Sequence, residues 1–73
     1  MNVQEILNMR TEFEDVTAEF KLERTGSDIN TLKWFIGNGH KSNSLRNGYQ
    51  RALQIAEAII TEYENGRKNY DRS

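Results

Sequence analysis

From Leu45 to Tyr63 the apolar residues recur as Leu45, Tyr49, Ala52, Ala56, Ile59 and Tyr63, in steps of four, three, four, three and four. That period puts them on one face of an α-helix and is incompatible with a strand, whose faces repeat every two residues. Leu53 and Ile60 widen the stripe to a globular rather than a coiled-coil face, and the small Ala52 and Ala56 let a neighbouring helix come close. Ser42, Asn43 or Ser44 can cap this helix. Asn47 with Gln50 forms a second possible capping box, which would leave Gly48 in the first turn. Asn65-Gly66 predicts its end.

A second stripe of the same kind opens the chain. Ile6, Met9, Phe13, Val16 and Phe20 recur in steps of three and four, with Glu5, Glu12 and Glu19 seven apart on one flank and Arg10 and Arg24 on the other. Two heptads of this sort resemble a coiled-coil seam and mark these five apolar residues as an oligomerisation face. Asn2 followed by Glu5 predicts the helix start as a capping box, and Gly26 predicts its left-handed stop. Between the two stripes, Ser27 or Asp28 can cap a short helix with Ile29, Leu32, Phe35 and Ile36 on one face, stopped by Gly37. Lys33 and Trp34 fall elsewhere on that helix. The stretch WFIGNGH also carries an Asn-Gly pair that suits a hairpin over residues 31–42, but HKSNS is a poor return strand.

The expected architecture is therefore an all-α three-helix bundle: two long antiparallel helices, roughly 3–24 and 44–65, with a short one, roughly 28–36, closing the end. Residues 1–65 form one helical domain and residues 66–73 a frayed tail. At 73 residues the chain buries only about 60% of the surface its unfolded form exposes. It has no cysteine for a disulfide and no Cys/His set for zinc, so a homodimer or a bound partner is expected to add burial. No stretch approaches the roughly 18 apolar residues of a membrane span, and the N-terminus has no signal-peptide pattern; a cytoplasmic protein with no membrane partner is expected.

The net charge of −1 conceals a segregation. Residues 1–28 carry seven acids against three bases, a net of −4, and residues 57–73 carry four against three. Residues 29–56 carry no acid and four bases, Lys33, Lys41, Arg46 and Arg51, with the only histidine, His40. Charge arranged in blocks points to a binding face or to pairing inside the fold.

The chemistry available in that block is narrow. GNGHKS resembles the end of a phosphate-binding loop, but His40 separates Gly39 from Lys41 and Gly37 lies only two residues back, so the spacing fails and a helix stop with a polar turn accounts for the glycines. A lone histidine without thiol or second imidazole builds neither a metal site nor a triad. No cofactor, no metal and no enzymatic activity are expected. Ser44, Arg46, Asn47, Gln50 and Arg51 are residue types that contact phosphates and base edges, which gives nucleic-acid binding by the start of the third helix as one reading. Four bases on an acidic chain neutralise few phosphates, and a turn of about six residues is long for a helix-turn-helix.

The favoured reading is protein binding. Trp34, Lys41, Arg46 and Arg51 are the candidate partner-binding residues, facing a protein with an acidic surface, because Trp and Arg most often carry interface energy. The alternative is that the acidic stripe of the first helix meets Arg46 and Arg51 within one chain or across a dimer. In size, lack of catalytic groups and charge segregation the chain resembles small phage or mobile-element accessory proteins, which implies an inhibitor that binds or redirects a host factor; no motif carries that resemblance. A structural or assembly subunit, with the first helix as its oligomerisation element, is a third reading.

Overall fold

A computed structural model describes residues 2–20, 22–39 and 43–72, with side chains through residue 66. Its described residues form three helices and no strand: α1 (Val3–Thr17), α2 (Ile29–Asn38) and α3 (Tyr49–Arg72). The all-α bundle is thus observed, and the hairpin over residues 31–42 is replaced by α2 across the described part of that range.

α1 starts as its capping residues dictate. Asn2 is extended, and its side chain accepts the Glu5 amide at 2.8 Å, satisfying one of the orphan donors of the first turn. The helix stops at Thr17, seven residues before the expected end. The cause lies in its partner. Val16 packs beside Gly48 and Glu12 meets Arg51, so α1 runs antiparallel to α3 and reaches the start of that helix at Val16. A continued helix would carry Phe20 past the end of α3 with nothing opposite it. Instead the chain turns, the Phe20 amide bonds the Thr17 carbonyl, and the Phe20 ring folds back to 9% exposure. Gly26 does adopt positive φ, but within the loop rather than as the stop of α1.

That loop is tied down by polar contacts. Ser27, itself buried, accepts a hydrogen bond from Arg10 Nε at 3.1 Å and donates one to the Glu14 carboxylate, so one hydroxyl links two turns of α1 to the entry of α2. Asp28 then caps α2, its carboxylate accepting from both the amide and the hydroxyl of Thr31. Hydrogen bonding from Thr31 holds the Asp28 carboxyl below its ordinary value against a smaller opposing effect of burial. α2 runs through Gly37 rather than stopping there and ends with Gly39 at its C-cap, in right-handed conformation. A Cβ at Gly39 would lie 2.5 Å from the buried Phe35 ring, so close packing rather than a left-handed turn requires the glycine.

α3 differs from expectation at both ends. It begins at Tyr49, not near residue 44, because Gly48 has φ +86° and cannot occupy a helical turn. The Gly48 carbonyl accepts the Ala52 amide at 2.8 Å, which puts Gly48 itself at the N-cap position. At the other end the helix passes through Asn65-Gly66 and its backbone continues to Arg72. At 24 residues it spans about 36 Å and gives the molecule its 42 Å long axis.

The core lies where α3 faces both neighbours: Phe13 from α1, Leu32 and Phe35 from α2, Tyr49, Ala52, Ile55, Ala56 and Ile59 from α3, and Phe20 from the first loop. Phe35 is its centre, meeting Phe13 edge-on at 5.2 Å and Tyr49 at 5.7 Å between ring centroids. The α1 seam is therefore used within one chain. Phe13 and Phe20 are buried, Met9 and Val16 pack against the core, and Ile6 is half-buried. These residues are not a free oligomerisation face.

Candidate interaction surface

The segment between α2 and α3 spans residues 39–48, of which 43–48 form successive turns. The Arg46 amide donates to the Asn43 carbonyl, and the Tyr49 amide to the Arg46 carbonyl. Asn43 is buried, and its side-chain amide donates to the Gly39 carbonyl at 3.1 Å, anchoring the segment to the end of α2. With its backbone pinned on the inner side, the chain turns its next three side chains, Ser44, Leu45 and Arg46, outward. Leu45 is 99% exposed and Arg46 is exposed beside it. Leu45, expected at the head of the α3 stripe, lies outside that helix because Gly48 breaks the register. Tyr63, at the other end of the same stripe, is 42% exposed because it lies beyond the buried core.

Of the four candidate partner-binding residues, the three that are described have different surroundings. Trp34 is half-buried and packs against the core, so its ring helps to close the bundle. Lys41, like His40, lies outside the described residues. Arg51, in the first turn of α3, holds Glu12 of α1 in a two-pronged pair, Nε to Oε2 at 2.6 Å and Nη2 to Oε1 at 2.9 Å. That hydrogen bonding holds the Glu12 carboxyl below its usual value and raises the Arg51 guanidinium further. Lys33 is also engaged, 3.5 Å from Glu64 of α3 and 6.0 Å from the centre of the Tyr63 ring. Of the four bases in the acid-free block, two face carboxylates from the acidic flanks. Arg46 has no such pair among the described residues.

The geometry also narrows the nucleic-acid reading. Ser44, Arg46 and Asn47 precede α3, so only Gln50 and Arg51 of the five proposed contacts lie on the helix, and Arg51 is held by Glu12. Ten residues separate α2 from α3, more than the expected turn. Among the described residues no three Asp, Glu, His or Cys side chains gather where they could hold a metal ion, and no helix is long and apolar enough to cross a membrane. A hollow of about 360 Å³ lies between the end of α1 and the following loop, where Phe20 and Leu22 line it. Among the described residues its one ionisable lining group, Glu14, is bound by Ser27.

Two features were missed by the sequence reading. The Arg10–Ser27–Glu14 link joins residues up to seventeen apart, and only the i, i+4 spacing of Arg10 and Glu14 hinted at one face. Leu45 was read as core, and the signal against it was the glycine three residues on. Compared with known protein families, characterised proteins and solved structures, the chain matches none.

Proposed function

We propose that the protein is a non-enzymatic binding protein that docks another protein through the turn before α3, and so inhibits or redirects it in the manner of small phage accessory proteins. The observation that supports this is the pairing of a fully exposed leucine with an exposed arginine that has no ion-pair partner among the described residues, in a segment free of carboxylates and pinned to the core by Asn43. An apolar side chain next to a cation on a rigid turn suits a partner that offers a shallow apolar pocket rimmed with acids. Trp34 and Arg51 support the platform rather than touch the partner.

The test is affinity capture from the native host, comparing the parent with Leu45→Asp/Arg46→Glu. Both side chains are exposed, so circular dichroism should be unchanged. A protein captured by the parent and lost with the double variant supports the proposal. Capture that is indifferent to these two residues would refute it, and salt-sensitive binding to duplex nucleic acid by the parent would favour the nucleic-acid reading instead.

A further inference from the structure

The chain contains three Asn-Gly pairs, at 38–39, 47–48 and 65–66, and the fold treats them differently. Asparagine followed by glycine is prone to a self-reaction, because no Cβ on the glycine hinders its amide nitrogen from reaching the asparagine side-chain carbonyl. A helix suppresses it. Helical backbone angles aim the following nitrogen away from the side chain, and its N–H is engaged by the carbonyl four residues back. Asn38 and Asn65 are both helical. The Gly39 amide donates to the Phe35 carbonyl at 2.9 Å, and the Asn38 side chain is itself held by the Trp34 carbonyl at 3.3 Å. Asn47 lies outside both helices and is exposed, and the Gly48 amide donates to no group among the described residues. Gly48 at φ +86° lies between the Asn43–Arg46 turn and the first helical bond.

We propose that Asn47 is a site of spontaneous deamidation, with water as the only co-reactant. The Gly48 amide nitrogen attacks Cγ of Asn47, a C–N bond forms, and ammonia leaves with the proton that nitrogen loses. Water then opens the cyclic imide at either carbonyl, breaking one C–N bond and leaving aspartate or isoaspartate. The product places the first carboxylate in residues 29–56, directly after Arg46, and lowers the net charge of that block from +4 to +3. The aspartate form adds negative charge at the positive end of α3, which that helix tolerates. The isoaspartate form inserts a methylene between Arg46 and Tyr49, across the turn their backbones close. Either product changes the surface assigned above to an acidic partner with the passage of time. The chemistry itself stands whether or not that assignment does.

The three pairs fall in separate tryptic peptides, 34–41, 47–51 and 52–67, so each can be followed by mass spectrometry with isoaspartate detection. The parent is incubated in mildly alkaline buffer, folded and in strong denaturant. In denaturant all three asparagines should react at similar rates. In the folded protein Asn47 should react at least about tenfold faster than Asn38 and Asn65, the ratio expected if those two must first open their helices. An acidic species should accumulate in isoelectric focusing and be suppressed in Asn47→Gln. Equal rates in the folded protein, a faster reaction at Asn38 or Asn65, or an inert Asn47 beside a reactive denatured chain would each overturn the proposal.

Discussion

Two glycines of α3 and its approach should respond to the same substitution with opposite sign. Gly48 has φ +86°, and a Cβ there would lie 2.7 Å from Val16 Cγ1. An L-residue in the left-handed region costs about 1–2 kcal/mol. Val16 is β-branched and helical, so its one favoured rotamer cannot swing clear, and overpacking adds about 1–3 kcal/mol. Gly48→Ala should therefore lose about 2–5 kcal/mol from a total that for 73 residues is about 4–11 kcal/mol. Gly66 lies inside α3 without positive φ, and a Cβ there meets nothing within 4 Å among the described residues. Gly66→Ala should gain about 0.5–1 kcal/mol through helix propensity and a less flexible unfolded chain. Urea unfolding followed by far-ultraviolet circular dichroism measures both. The double variant Val16→Ala/Gly48→Ala isolates the clash, since shortening Val16 should restore part of the loss, with a coupling of about 0.5–3 kcal/mol. A Gly48→Ala protein within about 0.5 kcal/mol of the parent, or strictly additive substitutions, would mean that α3 does not start against Val16 as described.

Phe13→Ala should cost about 3–5 kcal/mol, because the ring is 1% exposed and meets Phe35 edge-on, and the unfolding midpoint of the parent should not depend on protein concentration if this seam is filled within one chain. A concentration-dependent midpoint would return the seam to an oligomer. Ser27→Ala should cost about 1–3 kcal/mol by leaving Arg10 and Glu14 without their shared partner, and should speed amide exchange in residues 22–28 before it affects α3. Glu12 and Asp28 both titrate below their ordinary values of 4.5 and 3.8 in the folded chain, so the folded state binds fewer protons in that range than the unfolded one. Their contribution is complete above those ordinary values and is lost as pH falls through the lowered ones. The urea midpoint should fall on acidification, and Arg51→Gln should make that fall shallower; an unchanged profile would remove the Glu12 pair from the account.

What the sequence made legible was decided by local chemistry. Asn2 and Asp28 cap the helices they were expected to cap, and Phe13, Leu32, Phe35, Ala52, Ala56 and Ile59 are buried as the periodicity requires. The errors fall at ends that tertiary contacts determine. AEFKLER has ordinary helix formers and no breaker, so nothing local stops α1 at Thr17; only the absence of a facing helix beyond Gly48 does. Asn65-Gly66 is a common helix stop but not a compulsory one, since a mid-helix glycine costs only about 1 kcal/mol and the helix continues. Ile55 is fully buried although it lies outside the expected stripe, because α3 packs on two partners and needs a wider apolar face than one neighbour demands.

The charge blocks read differently once the helices are placed. Two of the four bases in the acid-free middle of the chain are engaged, because each acidic flank sends one carboxylate back to it: Glu12 of α1 to Arg51, and Glu64 of α3 to Lys33. Both pairs are about half exposed, with side chains 41–51% accessible, so they are screened by salt and set register more than stability. Their placement is what matters. Arg51–Glu12 fixes how far α1 slides along α3, and that register puts Val16 over Gly48 and closes the approach to α3. With Asn43 anchoring the other side, the six residues 43–48 are held at both ends, and the side chains left facing water are Ser44, Leu45, Arg46 and Asn47. The surface expected from Trp34, Lys41, Arg46 and Arg51 is therefore proposed instead on one turn, in which a leucine, an arginine and an asparagine stand in succession.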